Sequence, residues 1–293
     1  MRVYRYTTHP HVGDNIICTG AVRNVCREYE DMRFVACGEV TKNNMDYIGE
    51  NDCFRAGCKI TDIGKITYGS LDDEQHGRWG NVVEGFTRSL CQLLGIEQVP
   101  IRVRNPILNL TESEFERGFK WRDCILLNAN CQTCSISKGY PYWQEVVNGL
   151  KGERIIQVGG DENRDISPNL KGVEDMRGKT SIRQLMVMVR HCKLVISPPS
   201  CISNIAGAFH HPQVILNASR EPDVLLDYDN AVHVSHVCEC GWGVQTGCIS
   251  CRVGGGRRSC WRPRRVDGID WCQCQEETPP ETIIRAAQSI ICK

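Results

Sequence analysis

Residues 193–216 read KLVISPPSCISNIAGAFHHPQVIL, which parses as a strand, a tight loop, a short helix and a second strand. Leu194–Ser197 is a brief apolar run, and Pro198-Pro199 ends it because proline lacks the amide that a strand ladder needs. Ser200 or Ser203 can cap the helix that follows, and the small residues Ala206, Gly207 and Ala208 allow that helix to pack closely on a sheet. Val214–Leu216 is the next apolar run. A helix beginning just past the carboxyl end of a strand aims N–H groups and a partial positive charge into a crevice, which suits a phosphate. An ordinary strand–helix–strand unit without a ligand has the same local pattern.

Upstream of this unit the alternation continues. Cys124–Asn128 reads as a strand, Tyr142–Leu150 as a helix, Arg154–Val158 as a strand ending in Gly159-Gly160, and Ser181–His191 as an amphipathic helix. Nearer the start, a helix is expected over Asn15–Cys26 after the loop His9–Asp14, and a strand over Arg33–Cys37. Asn81–Gly95 carries Val82, Val83, Phe86, Leu90 and Leu94 at helical spacing, with Gly95 as its stop. Val99–Leu110, with two prolines, reads as a linker. The pattern predicts two Rossmann-type α/β domains with parallel sheets, 1–122 and 123–293, ending in a helix over Pro280–Ile291.

Composition excludes some classes of function. The 293 residues are 41% hydrophobic and 24% charged with zero formal net charge, so no global field recruits nucleic acid or an anionic membrane. The first residues, MRVYRYTTHPHVGD, lack a signal-like apolar core, and no run reaches the ~20 apolar residues of a membrane span. The expectation is a cytoplasmic protein. In that setting its 19 cysteines read as metal thiolates and buried thiols rather than a disulfide framework. Cys131 and Cys134 read as loop cysteines.

After Val237 the sequence turns abruptly to Cys, Gly, Arg and Trp. Cys238, Cys240, Cys248, Cys251, Cys260, Cys272 and Cys274 form a small Cys-rich insertion over 238–274, in which Cys-x-Cys and Cys-x2-Cys spacings can bring sulfurs onto one tetrahedral ion. The glycines and arginines between them cannot build a core, so a structural metal is expected, held by four of the seven, with Cys248 and Cys251 as the best-spaced pair. Zn²⁺ is the default for thiolates and iron is the other option; free thiols or disulfides are the alternative. Arg252, Arg257, Arg258, Arg262, Arg264 and Arg265 around Trp261 suit nucleic acid or a phosphorylated glycan, or simply a solvated basic loop.

Four blocks, in order, resemble glycosyltransferase family 9, the ADP-heptose heptosyltransferases of GT-B fold. They are Gly13-Asp14-Asn15 with IICTGAVRNVCREY; Lys138-Gly139-Tyr140-Pro141-Tyr142-Trp143; IIQVGGDENRD followed by MRGKTSIRQLMVMVRHCKLVIS; and SPPSCISNIAGAF. The likeness is clear over 123–220, fair over 10–40 and thin over 41–110. Two positions depart from the family pattern: Pro199 stands where an Asp is usual and Asn204 where a His is usual.

The resemblance implies a GT-B-like protein that moves a sugar from a nucleotide diphosphate to an acceptor hydroxyl, inverting and without a catalytic divalent cation. ADP-heptose is the first donor implied, and a glycan, lipid or protein the acceptor. Asp14 takes the position of the base that removes the acceptor proton; by residue type alone it is a helix N-cap. Lys138 takes the position of a lysine on the donor phosphates, with Gly13, Ser200, Ser203 and Asn204 beside the donor. Asp161, after Gly159-Gly160, is placed to accept from ribose hydroxyls or to sit in a plain turn. The family's autotransporter members carry iron on cysteines, which keeps iron open for the insertion. A homo-oligomer is among the expectations. The alternative function is a catalytically vestigial GT-B protein whose metal finger binds nucleic acid or a protein partner, in keeping with Pro199 and Asn204.

Overall fold

The computed structural model of the chain describes residues 1–7, 12–37, 48, 53–54, 60–66, 81–132, 138–160, 165–218, 223–236, 260 and 263–292. The chain divides into two units. The first comprises Met1–Thr111, Gly207–His210 and Val224–Asp229, and the second Glu112–Ala206, His211–Asp223 and Asn230–Lys293. Residues 112–122, grouped with the first domain in the sequence reading, thus lie in the second unit.

In the first unit, β1 (Arg2–Thr7), β2 (Met32–Cys37) and β3 (Ile60–Lys65) form a parallel sheet in the order β2-β1-β3. Helix α1 (Val12–Glu28) follows β1 and is buried along most of its length, Ile16, Ala21, Val22 and Val25 included. A helix so enclosed must satisfy its polar side chains internally. Thr19 Oγ1 donates to Ile16 O and accepts from Ile107 N at 2.7 Å. Asn24 accepts from the amides of Arg102 and Val103 through Oδ1 and donates to Val103 O at 2.9 Å. The stretch over Val99–Leu110 is therefore not a free linker but a strap fastened along α1. At Gly20 a Cβ would stand 2.5 Å from Asn105 O, so only glycine lets the strap lie this close. Helix α2 (Val82–Leu94) is capped by Asn81, whose Oδ1 accepts from Val83 N, and stops where its sequence predicts, Gly95 closing it at φ 64°.

The second unit opens with α3 (Glu112–Arg117) and a 3-10 turn over Gly118–Trp121, which sequence patterning missed. There follow β4 (Cys124–Leu127), β5 (Cys131–Gln132), α4 (Trp143–Gly149), β6 (Arg154–Gln157), β7 (Asp165–Ile166) and β8 (Glu174–Asp175). Next come α5 (Ile182–His191), β9 (Leu194–Ser197), α6 (Cys201–Ala208), β10 (Gln213–Asn217) and β11 (Ala231–Ser235). The hairpin β12 (Arg264–Val266) and β13 (Ile269–Trp271), then α7 (Gln273–Glu276) and α8 (Pro280–Ile291), complete the described elements. The main sheet runs β11-β10-β9-β4-β6-β8, every pairing parallel. Its central strands are short unbroken apolar runs because both faces are covered.

One face carries α4 and α8. Trp143, Val146, Ile283 and Ala287 pack there against Ile125, Leu127, Ile196 and Leu216. Trp143 is 1% exposed and meets Tyr140 edge to face at 5.2 Å, so it is a core anchor. Helix α5 starts with a capping box of Ser181 and Gln184, and ends in His191, whose ring lies where a Cβ on Gly118 would collide with it. Next to it, the buried Cys192 thiol and His211 Nε2 are 3.2 Å apart. Among the described residues no helix is long and apolar enough to cross a membrane.

Candidate active site

The strand order of the second unit sets where a ligand can enter. The chain lays down β4, moves outward through β6 and β8, then returns to place β9 on the other side of β4 before continuing to β10 and β11. Winding therefore reverses between β4 and β9. The loops leaving the carboxyl ends of two such strands part in opposite directions and leave a crevice. On its two sides stand Asn128, just past β4, and Pro198-Pro199-Ser200, just past β9.

Three predicted donor residues meet at that crevice. Lys138 Nζ donates to Pro199 O at 2.9 Å, which fixes a half-buried ammonium beside the start of α6. Ser200 Oγ is 3.2 Å from Asn128 Nδ2. Ser203 Oγ accepts from Ser200 N and donates to Ser200 O, each at 2.8 Å, so its hydroxyl closes the first turn of α6. Asn204 is buried, and its backbone N–H donates to Ser200 O. Pro199 contributes through its carbonyl, a role open to any residue type. Gly207 meets an aromatic ring rather than a sheet: a Cβ there would lie 2.4 Å from Tyr228.

Polar residues that patterning did not single out surround these. Asn130 N donates to Asn128 Oδ1 at 3.1 Å, Asn130 Oδ1 accepts from Ser167 Oγ at 2.7 Å, and Ser167 Oγ accepts from Arg177 Nη1 at 2.7 Å. Arg177 is buried and makes a two-point contact with Asp175, which holds that carboxyl down at about 2. Gly159 lies so close to Asn130 that a Cβ would fall 2.5 Å from its Nδ2. The signal available in sequence was Asn128-Ala129-Asn130 directly after a buried strand. Asp161 lies outside the described residues.

In the first unit, α1 begins at Val12, three residues earlier than patterning predicts. Gly13 and Asp14 are thus within its first turn, after the central strand β1, and Asp14 is 5% exposed. Asp14 is not the N-cap that its residue type implies; its carboxylate sits at the positive end of the helix.

Of the cysteine insertion, Cys238, Cys240, Cys248 and Cys251 lie outside the described residues. Cys272 and Cys274 are buried at the start of α7, where Cys272 O accepts from Gln275 N at 2.9 Å, and Cys260 is half-buried. Among the described residues no three metal-ligating side chains converge.

No protein-family profile matches the chain. The autotransporter heptosyltransferase TibC of Escherichia coli O78:H11 is 25% identical over 166 residues, which are 54% of this chain and 39% of that protein. The chain therefore matches well under half the length of this curated relative. The glycosyl transferase family 9 structure from Veillonella parvula superposes with a TM-score of 0.65 at 10% identity, covering 99% of this chain and 97% of that one. Escherichia coli ADP-heptose LPS heptosyltransferase II gives 0.64 at 11% identity, covering 100% and 99%. Dodecameric iron-containing TibC in complex with ADP-D-beta-D-heptose gives 0.61 at 16% identity, covering 99% and 77%. The fold is the α/β, parallel-sheet fold of GT-B-like glycosyltransferases. These relatives are glycosyl transferases, heptosyltransferases among them.

Proposed function

We propose that the chain is a glycosyltransferase that moves a sugar from a nucleotide diphosphate to an acceptor hydroxyl. The observation that carries this reading is the meeting of Lys138 and Ser200 across Pro199, at the point where the second sheet reverses its winding. Leaving-group departure needs positive potential on the diphosphate, and an ammonium beside a helix start supplies it. No step in this scheme calls for a divalent cation. The heptosyltransferase likeness makes ADP-heptose the first donor to try; the acceptor class, whether glycan, lipid or protein, is left to assay.

The chemistry is a single displacement. The acceptor oxygen attacks the anomeric carbon as the bond to the diphosphate oxygen breaks, the configuration inverts, and the acceptor proton passes to a carboxylate assigned to Asp14. Gly13, Asn204 and Asp161 are assigned to the donor in this proposal. The decisive test is ADP release from ADP-heptose over a panel of acceptors. Asp14→Asn should lower turnover at least about a hundredfold while ADP affinity stays within a few-fold. A folded variant with unchanged turnover removes Asp14 from the role.

A structural metal, iron or zinc, on four of the seven insertion cysteines belongs to the same proposal, with Cys248 and Cys251 as the best-spaced pair. It takes no part in the displacement. A cytoplasmic setting, which keeps thiols reduced, and assembly into a homo-oligomer are further parts of it. The second reading, a binding module with a vestigial cleft, rests on Pro199 and Asn204. Stabilisation by nucleotide sugars favours transfer, and salt-sensitive retention on heparin without such stabilisation favours the module.

A further inference from the structure

The hydrogen bonds around Asn128 determine which way a hydroxyl points. Asn130 N–H can only donate, so the Asn128 atom 3.1 Å from it is the carbonyl oxygen, and the amide orientation is settled by chemistry. The Asn128 nitrogen then faces Ser200 and donates to its Oγ at 3.2 Å. Among the described residues Ser200 Oγ has no other partner. One of its two lone pairs is used, and its proton is left to be given away. A group so arranged can donate to an acceptor, best an anionic oxygen. Ser203 cannot substitute, since its hydroxyl donates to Ser200 O.

The bracing behind Asn128 runs deeper than one contact. Asn130 is itself locked, its oxygen taken by Ser167 and its nitrogen 3.4 Å from Gly160 O, while Ser167 is held by the buried Arg177. The chain of contacts thus spans from the β8 edge of the sheet to the crevice at its middle. A first-layer hydroxyl aimed by a rigid second layer is how binding sites keep their geometry.

We infer that Asn128 is a positioning residue that aims the Ser200 hydroxyl, as a proton donor, at an oxygen of the donor's diphosphate. This rests on the proposed donor site, and inorganic pyrophosphate and ADP serve as probes so that the two can fail separately. Calorimetric titration of wild type should register both. Ser200→Ala should weaken pyrophosphate about tenfold, Asn128→Ala by a similar factor, and the double variant no more than Ser200→Ala alone. Asn128→Asp, which is isosteric and still accepts from Asn130 N–H, draws the Ser200 proton to itself and should weaken pyrophosphate at least as much. It covers the case in which the alanine variant misfolds. Adenosine should bind all folded variants alike, which a general loosening of the unit would not allow. If wild type and Lys138→Met differ as the donor site requires, but Asn128→Ala and Asn128→Asp bind pyrophosphate like wild type, the inference is wrong and the site stands. Additive losses in the double variant overturn it too. If wild type binds neither probe, the donor site itself falls, and the inference with it.

Discussion

Replacing Lys138 with methionine removes one charge and keeps most of the side-chain volume. In the structure the ammonium is already placed, 2.9 Å from Pro199 O, so little ordering entropy remains to be lost when a diphosphate arrives. A phosphate oxygen about 4 Å from it gains roughly 4 kcal/mol at an effective dielectric of about 20, and about 1 kcal/mol in bulk water. Lys138 is half-buried, which puts the net loss between these limits, at about 2–3 kcal/mol. Since about 1.4 kcal/mol is tenfold, ADP should bind Lys138→Met roughly 30- to 150-fold more weakly. Calorimetric titration measures it, with thermal unfolding of the free protein as the control on folding. Lys138→Arg should recover part of the loss, because its charge remains but its planar fork does not suit a single carbonyl. A folded Lys138→Met that binds ADP within about twofold of wild type would falsify the placement of the diphosphate at this lysine.

Gly159→Ala should destabilise the second unit by about 1–3 kcal/mol in denaturant titrations, because a Cβ at φ 153° lands 2.5 Å from Asn130 Nδ2. His211, buried and next to Arg190, has its pKa lowered from 6.5 to about 4, so the unfolded chain binds more protons between those values. Stability should be full above pH 6.5 and fall by on the order of 3 kcal/mol as pH drops to about 4, whereas His211→Gln should lack this component; parallel curves for the two proteins would contradict it. Elemental analysis of protein purified without added metal should find iron or zinc, and a chelator should lower the unfolding temperature; metal-free protein with wild-type stability would rule out a structural ion.

Much of the second unit was legible because its strands are buried on both faces. Leu194–Ser197 and Pro280–Ile291 were bounded by prolines and unbroken apolar runs, and they fold over those residues. Gly95 likewise marked the end of α2 through cap chemistry, which is local. The first strand was harder. In RVYRYT the buried residues Val3 and Tyr6 stand three positions apart, so the segment lacks the period of two that marks a strand. The strap over Val99–Leu110 read as a linker because its attachment depends on Asn24 and Thr19, far away in sequence. Strand order was invisible for the same reason, and the crevice is a product of strand order. Lys138, Ser200 and Ser203 came from motif likeness, whereas Asn128 and Arg177 required knowing which loops lie side by side.

The crevice is stitched together by segments that are remote along the chain, Asn128 and Ser200 standing 72 positions apart. Parallel neighbours of this kind form late, since each must wait for the intervening crossover to close. Nucleotide affinity should consequently arise only in the last stage of refolding. A pulse of labelled ADP would then act as a clock for completion of the sheet, blind to any intermediate in which β9 has not yet docked on β4.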